Sequence, residues 1–359
     1  MATVSMKHIG KIYRGGVEAV KDLNLEIGNG EFICLLGPSG CGKSSTMRMV
    51  AGLEEITSGE MYIDGILVNK LSPRERDIAM SFENYALYPN MTIYENIAFP
   101  LEVRKIVKSE IERKVVEVAE LLDIRDMLNE DVKGLSGGVQ QRVGVARALV
   151  RSPKVLILDE PISHLEEELK AKMREELKRI QRRIKVTTLY VTHDQIEAMV
   201  MADRIAIMNF GELQQVDTPE NVFHNPANVF VGGFIGEPPM NFIKCQVKGN
   251  AILFDDIEVP FSGTRADKIQ QSGEKEFILG IRHTHITLSE EEKPGCVKGK
   301  VFFVEPRNEE MLLTVTIGNQ HLLVSIVANS NIKIGSTVNA IFDYSKCSYF
   351  DVNSEKNLL

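Results

Sequence analysis

A glycine-rich turn near the N-terminus constrains the fold of this 359-residue chain more than any other feature. The apolar residues 33–36 run directly into Gly37-Pro38-Ser39-Gly40-Cys41-Gly42-Lys43-Ser44-Ser45, and a helix-like pattern follows. Glycines let successive backbone N–H groups point at a phosphate chain, and the beginning of a helix adds its positive dipole end. Lys43 supplies a positive charge, and the Ser44 hydroxyl is placed to ligate magnesium. The sequence therefore predicts a loop that binds a magnesium-nucleoside triphosphate.

The composition narrows the class of protein. A length of about 150 residues per domain suggests two or three domains, and the 43% of hydrophobic and 26% of charged residues are typical of a globular chain. No apolar run reaches the roughly 18 residues of a membrane span, and the N-terminus lacks the apolar core of a signal peptide. The net charge of −8 argues against a nucleic-acid partner, and five scattered cysteines without a CxxC pair fit a reducing compartment. We therefore expect a cytosolic protein that does not bind nucleic acid.

Polar groups follow two further apolar runs. Residues 155–158 are typical of a buried parallel strand, and the run ends in Asp159-Glu160. Groups at the carboxyl end of such a strand face the ligand crevice, where one carboxylate holds Mg²⁺ and its neighbour orients and deprotonates an attacking water. Residues 188–192 repeat this pattern before His193, which is placed to donate a hydrogen bond to a terminal phosphate. A solvated strand end and a structural histidine are the alternatives.

Two more positions are candidate ligand contacts. Tyr13 stands just before a Gly15-Gly16 turn between two predicted strands, where its ring is placed to stack on an adenine. Ser136, Gly137 and Gly138 precede a helix-like pattern, and a Ser N-cap with two glycines makes a phosphate-sized cluster of donors. A half-exposed strand tyrosine and an ordinary helix start are the alternatives.

In order and spacing these stretches resemble the ATP-binding cassette (ABC) family: GPSGCGKSS as its phosphate loop, LSGGV as its signature loop, LILDEP and VTHD. YALYPNMTIYENIAFPL and DTPENVFHNPANVFVGGFIGEPPMNFI are similar to the carbohydrate-uptake ATPases of the maltose-importer type. The resemblance implies an α/β P-loop NTPase over residues 1–240, with a RecA-like core, an antiparallel β subdomain and a helical subdomain at about 86–150. Short alternating β segments follow, and residues 241–359 are expected to form an all-β, OB-type regulatory domain.

The resemblance also implies roles for the candidate residues. Glu160 would be the general base, His193 would contact the γ-phosphate, and Lys43 would bind the phosphates together with the rest of the loop from Gly37 to Ser45. Tyr13 would stack on adenine. The magnesium ligands would be Ser44, Asp159 and Glu83, and Ser136, Gly137 and Gly138 would bind the same ATP from a second subunit.

The implied function is to power a membrane permease that imports a sugar, an oligosaccharide or glycerol phosphate. Two subunits, either two copies of this chain or one copy with a related ATPase, would form a head-to-tail dimer that closes on ATP. The loop at residues 85–89, which begins at Tyr85 and ends at Pro89, would contact two permease subunits on the cytoplasmic face of the membrane. A substrate-binding protein outside the cell would act only indirectly.

Three departures from the family pattern suggest an alternative function. Glu83 and Val139 each stand where a Gln is usual, and Glu166 stands in place of an Asp. A weakly hydrolysing subunit that pairs with a different ATPase is therefore the second hypothesis. In the C-terminal region, His283 and His285 are expected to alternate on a strand; without further ligands we expect ordinary surface use rather than metal binding.

Overall fold

The computed structural model describes residues 2–82, 84–289, 291–292, 295–308, 310–328 and 331–359. The chain divides into two compact units, Met1–Pro219 and Glu220–Leu359. Residues 220–240, which the sequence analysis placed in the first domain, contact the rest of the second unit. Val229 N–H donates to Glu355 O over 3.0 Å, and the Arg282 guanidinium donates to Phe223 O over 3.0 Å. Within the described ranges, no helix is both long and apolar enough to cross a bilayer.

A six-stranded sheet lies at the centre of the first unit, in the order β10-β9-β3-β8-β7-β6. The strands from β9 to β6 run parallel, and β10 pairs antiparallel with β9. Strands β3, β7 and β8 are built almost wholly from buried residues, as expected for parallel strands covered on both faces. Their bounds are β3 Phe32–Leu36, β6 Ile78–Ser81, β7 Val155–Asp159, β8 Thr187–Thr192, β9 Arg204–Asn209 and β10 Glu212–Asp217.

A second, antiparallel sheet of the first unit has the order β2-β1-β4-β5. Alternating residues of β1 and β2 pack with apolar side chains of β3, β7, β8 and helix α1 in one core, which includes Met6, Leu25, Leu35 and Met47. The bounds are β1 Val4–Ile12, β2 Glu18–Ile27, β4 Ser58–Ile63, β5 Ile66–Leu67 and α1 Lys43–Ala51. The pairing of β1 with β2 confirms the two strands predicted around the Gly15-Gly16 turn.

The remaining helices of the first unit follow the predicted order. The apolar spacing from Ile111 to Leu122 predicts a helix, and α3 confirms it, with Ile111, Val115 and Ala119 buried. Thr92 and Glu95 form a capping box that fixes the beginning of α2. The bounds are α2 Ile93–Glu102, α3 Lys108–Leu121, α4 Gly137–Leu149, α5 Glu167–Ile184 and α6 Gln195–Met201. Helix α7, Pro219–His224, begins at the last residue of this unit and otherwise belongs to the second unit.

The second unit contains two five-stranded antiparallel sheets, in the orders β13-β12-β11-β14-β20 and β15-β19-β16-β17-β18. They share one apolar core, in which Phe261, Phe277 and Tyr349 make close ring contacts. The strands are β11 Asn241–Lys248, β12 Ala251–Phe254, β13 Ile257–Pro260, β14 Glu276–Ile281, β15 Ile286–Ser289, β16 Val297–Arg307, β17 Glu310–Ile317, β18 Gln320–Val327, β19 Thr337–Phe342 and β20 Ser348–Phe350. The helices are α8 Val229–Phe234 and α9 Thr264–Ser272.

Two features of the second unit differ from the sequence analysis. Helix α9 interrupts the succession of strands, with Ala266 and Ile269 packed into the core. His283 and His285 do not alternate on a strand, because His283–His285 is a 3₁₀ turn between β14 and β15. Arg282 is buried and precedes this turn, and its guanidinium donates to the carbonyls of Gly232 and Phe223. Strand β14 therefore ends before the two histidines.

Candidate nucleotide site

The register of the central sheet brings the predicted site residues to one edge. Leu36, the last residue of β3, pairs with Thr192 at the end of β8, and Asp159 at the end of β7 pairs with Val191. Because the three strands are adjacent and parallel, the segments that follow them leave the sheet together. These segments are the phosphate-binding loop, Glu160 and His193.

The phosphate-binding loop has the backbone that its glycines predict. Gly40 and Gly42 have φ angles of 79° and 108°, which favour glycine. A Cβ on Gly37 would lie 2.3 Å from Met208 O, so the loop also packs too closely for a side chain there. Lys43, only 6% exposed, donates from Nζ to Gly37 O over 2.7 Å and to Pro38 O over 3.0 Å. The ammonium therefore lies inside the loop, where an incoming phosphate would replace carbonyls as its partner.

Glu160 and His193 form a pair at the same edge. His193 Nδ1 lies 3.0 Å from Glu160 Oε2, and the two side chains are 58% and 24% exposed. Glu160 has a φ of 42°, a backbone conformation that turns the chain sharply after β7. Its N–H donates to Val191 O over 2.9 Å, and its carbonyl accepts from the Ser163 hydroxyl over 2.9 Å. These bonds fix the backbone of Glu160, and its partly exposed carboxylate faces His193; the role of general base stays a prediction.

Tyr13 lies beside the helix that follows the loop. Its hydroxyl is 3.1 Å from Ser45 Oγ, and Lys11 Nζ lies 4.8 Å from the centre of its ring. The ring of Tyr13 is half-buried. Adenine stacking stays a prediction. The position of Tyr13 beside α1 is consistent with it, because α1 begins in the phosphate-binding loop.

The predicted contacts to a second nucleotide lie at the beginning of α4. Ser136 is the N-cap of this helix, as predicted, but its exposed side chain makes no capping bond within the described part of the chain. A Cβ on Gly137 would lie 2.8 Å from Leu165 Cδ2, so the beginning of α4 packs closely against the segment before α5. Ser136 is exposed, whereas Gly138 is buried. Their contact with a partner's nucleotide stays a prediction.

The predicted magnesium ligands were Ser44, Asp159 and Glu83. Ser44 is exposed in the first turn of α1, and Asp159 ends β7 at the same edge. Glu83 lies outside the described residues. Over the ranges that the structure describes, no group of three or more His, Cys, Asp or Glu residues is placed to hold a metal. A hydroxyl and a carboxylate fit Mg²⁺ when phosphate oxygens and water complete its coordination, as the donor preferences of this ion require.

The residues that hold the loop at 84–91 were not predicted from the sequence. Arg147 donates over 2.7 Å to both Tyr85 O and Ala86 O, and its guanidinium lies 5.2 Å from the ring centre of Tyr88. The buried Asn96 accepts from Tyr88 N–H over 2.8 Å and donates to Tyr88 O over 3.1 Å. Ala86, Tyr88 and Arg147 line a groove of about 450 Å³ that also includes apolar residues of α2 and β6. The sequence signals were only a polar Asn within an apolar stretch and one arginine among many.

The sequence analysis also missed a buried polar group next to His193. The Tyr190 hydroxyl donates to Glu197 Oε2 over 2.7 Å, and both residues are at most 2% exposed. Burial raises the pKa of Glu197, and hydrogen bonds from Tyr190 and Thr192 partly oppose that rise. Glu197 lies in the first turn of α6, four residues after His193, and no feature of the sequence predicted that its carboxyl group is buried.

Comparisons with known proteins agree with this fold and site. Residues 20–163 match the ABC transporter family, and residues 236–286 match the MalK OB fold domain. The oligosaccharides import ATP-binding protein MsmX of Bacillus subtilis (strain 168) is 44% identical over 99% of both chains. The trehalose/maltose import ATP-binding protein MalK of Thermococcus litoralis is also 44% identical over 99% of both chains. The chain therefore belongs to the ABC transporter family.

Within this family the chain is an ATP-binding and ATP-hydrolysing subunit with a C-terminal OB-fold domain of the MalK type. Solved structures agree for about 60% of the chain. The dimeric ATP-binding cassette MJ0796 bound to ADP and Pi is 32% identical, with a TM-score of 0.54, and covers 60% of this chain and 98% of its own. The cbiO1 protein from Clostridium perfringens is 25% identical, with a TM-score of 0.58, and covers 61% of this chain and 89% of its own. These matches confirm the predicted family and fold class.

Proposed function

We propose that this chain powers a membrane permease that imports a carbohydrate, through closure of an ATP-bound dimer. The observation that carries the proposal is the contact of 3.0 Å between Glu160 and His193, at the sheet edge from which the phosphate-binding loop also leaves. The carbohydrate is supported by the relatives that match over their full length. One of them imports oligosaccharides and another imports trehalose or maltose, according to their names.

The residues of the site suggest how ATP is hydrolysed. Lys43 exchanges the carbonyls of Gly37 and Pro38 for phosphate oxygens. Glu160 accepts the proton of the attacking water, and this contributes about 10²–10⁴-fold to the rate. Nδ1 of His193 faces Glu160, and Nε2 on the other side of the ring is left for the γ-phosphate.

Magnesium completes the proposed site chemically. When bound, Mg²⁺ neutralises charge on the β- and γ-phosphates. Ser44 and Asp159 are the described residues that would hold it. Glu83 is a further predicted ligand from the sequence alone.

A second subunit supplies the remaining donors in this proposal. Ser136, Gly137 and Gly138 would bind the γ-phosphate of the ATP held by the partner, because a helix start with free N–H groups attracts anions. The MJ0796 cassette is dimeric in its solved structures. We propose a head-to-tail arrangement with a second copy of this chain or with a related ATPase.

The loop at 85–89 is the proposed contact with the permease. The groove next to it, lined in part by α2, is partly apolar, which suits a short helical segment of a permease subunit, and a dimer would offer one such groove to each of two permease subunits. In this proposal the chain works at the cytoplasmic face of the membrane, and a substrate-binding protein outside the cell acts on it only through the permease. Ser136 and this groove belong to the same unit, so closure and docking are linked through α4 and α2.

A test of the base is the substitution Glu160→Gln, which keeps size and removes the proton acceptor. We expect ATP turnover to fall at least about 100-fold while ATP binding and ATP-dependent dimerisation persist. The matched control is Glu112→Gln, which removes an exposed carboxylate of α3 and leaves turnover unchanged. Turnover near that of the unmodified protein in Glu160→Gln would refute the assigned base.

The same assay separates the second hypothesis, a weakly hydrolysing subunit that pairs with a different ATPase. Glu166 is the N-cap of α5, and its side chain makes no capping bond in the described region, while Val139 lies in the first turn of α4. If these departures and Glu83 limit the rate, the combined substitutions Glu83→Gln, Val139→Gln and Glu166→Asp should raise turnover of the purified chain. Unchanged turnover favours the primary proposal.

A further inference from the structure

A buried hydrogen-bonded group surrounds the backbone that carries His193. Tyr190, three residues earlier, lies in β8 and donates to Glu197 Oε2 over 2.7 Å. The Thr192 hydroxyl lies beside the same carboxyl group, and its oxygen accepts from Asp194 N–H over 3.0 Å. Thr192 and Asp194, the two residues that flank His193 in the chain, are therefore bonded to each other.

The beginning of α6 closes the group on the other side. The Asp194 carboxylate accepts from Ile196 N–H over 2.7 Å and from Glu197 N–H over 3.1 Å, so Asp194 caps the helix. Glu197 is thereby connected to Asp194 through the backbone and to β8 through its side chain. The turn at residues 192–194 is held from the strand and from the helix at once.

His193 itself has little packing to fix its direction. Its side chain is 58% exposed, and its described side-chain contact is the one with Glu160. A half-exposed imidazole on a loose turn would sample many orientations, whereas its backbone here is fixed by groups that are at most 2% exposed. The geometry of the Glu160–His193 contact therefore depends on residues that do not touch ATP.

We propose that Tyr190 and Glu197 are positioning residues that hold His193 in register with Glu160 and the γ-phosphate. This inference rests on the proposed role of His193 in hydrolysis. Neither residue is catalytic, because both are buried behind the turn and act through its backbone.

The burial of Glu197 supports a role beyond packing. A buried carboxyl group bonded only to hydroxyl groups is costly, and an apolar side chain of similar size is usually at least as stabilising. The charge of Lys170 acts on Glu197 and lowers its pKa in part, but among the described residues Lys170 makes its ion pair with Glu167 instead, over 2.9 Å. A hydrogen-bond acceptor at position 197 is explained by the hydroxyl groups that face it, those of Tyr190 and Thr192. Both residues belong to β8, the strand that leads to His193.

The test is a double-mutant cycle on ATP turnover. Tyr190→Phe removes one hydroxyl and keeps the ring, and we expect kcat to fall about 10-fold with KM for ATP changed less than about twofold, since small misplacements of a reacting group cost this much or more. His193→Ala alone is expected to cost more. In the double variant Tyr190→Phe/His193→Ala, turnover should equal that of His193→Ala, because the hydroxyl has no histidine left to position.

The control is Tyr349→Phe in the second unit, which removes an equally buried hydroxyl that donates to Tyr344 O over 2.9 Å. This variant should keep full turnover. If Tyr190→Phe does not fold, Glu197→Gln replaces it, because Gln retains an acceptor and the shape but weakens the bond from Tyr190. A kcat like that of the unmodified protein, or losses that multiply in the double variant, would overturn the positioning role. If instead His193→Ala and Glu160→Gln both keep full turnover, the proposed site assignment fails rather than this inference alone.

Discussion

Arg147 fixes the backbone of the loop that we propose to contact the permease, and its removal gives a measurable local effect. The guanidinium donates to Tyr85 O and Ala86 O, each over 2.7 Å. Tyr85 and Ala86 have φ angles of 55° and 44°, which are unfavourable for residues with a side chain. The loop therefore keeps a strained backbone because a charged donor holds it, and partial burial of this donor lowers the pKa of Arg147.

The magnitude follows from these contacts. Hydrogen bonds from a charged group contribute about 1.5–3 kcal/mol each, and the contact with the Tyr88 ring contributes about 0.5–1 kcal/mol. Because Ala86 is exposed, hydrogen bonds from water replace part of this stabilisation when the guanidinium is lost. We therefore expect Arg147→Met to lower the free energy of local opening by about 2–4 kcal/mol, which corresponds to amide exchange about 30- to 1000-fold faster.

Hydrogen exchange of individual amides is the assay. The amides of Tyr85 and Ala86, which donate to Phe82 O and Asn84 O, should show the full increase. The amide of Tyr88 should change less, because it donates to Asn96 Oδ1, which Arg147 does not contact. Arg125→Met is the control, since it removes an exposed arginine paired with Glu120. Unchanged exchange at Tyr85 and Ala86 in a folded Arg147→Met protein would refute the reasoning.

Two further predictions concern stability. Arg282 is 1% exposed and donates to Gly232 O, Ile235 O and Phe223 O; Arg282→Met should destabilise the second unit by about 3–5 kcal/mol in urea unfolding, while the exposed Arg307→Met should change it little. Burial raises the pKa of Glu197 above 4.5, so the folded chain binds this proton more tightly than the unfolded chain. The stabilising effect of that proton is complete below pH 4.5 and is lost as the pH rises through the raised value. The stability of Glu197→Gln relative to the unmodified protein should therefore increase from about pH 4 to neutrality, and a difference that does not vary with pH would contradict the assignment.

The phosphate-binding loop was predictable because its determinants are contiguous. Three glycines, a lysine and a serine within residues 37–44 specify the turn and its charge without help from distant residues. The placement of Glu160 and His193 was predictable for a related reason, since each directly follows a buried strand and parallel strands share their carboxyl ends. The order β3-β8-β7, which brings the ends of these strands side by side, was not predicted from the sequence and is a finding of the structure.

The supporting residues were not predictable, because their partners are remote or face unexpected directions. Arg147 contacts residues more than sixty positions earlier, and nothing in the pattern of α4 distinguishes it from Arg142, which pairs with Glu176 instead. Glu197 is a charged residue of the short helix α6, but its carboxyl group is buried and accepts a hydrogen bond from Tyr190 of β8. The prediction that His283 and His285 alternate on a strand was wrong. The two histidines lie in a 3₁₀ turn, and the guanidinium of the preceding Arg282 donates to the carbonyl of Gly232.

Strand β8 connects the phosphate-binding loop, Glu160 and His193 of the candidate site. Its neighbour β3 carries the phosphate-binding loop, its own end carries His193, and its Val191 carbonyl accepts from Glu160 N–H over 2.9 Å. A shift of β8 would therefore displace the base, the histidine and the loop together, and their mutual distances would change little. We therefore expect the groups whose positions change most during turnover to be those that β8 does not connect, above all the Ser136 loop that we assign to a partner's ATP. Substitutions in the buried group at Tyr190 and Glu197 should consequently alter the alignment of His193 within one subunit, whereas substitutions at Ser136 should alter how two subunits close.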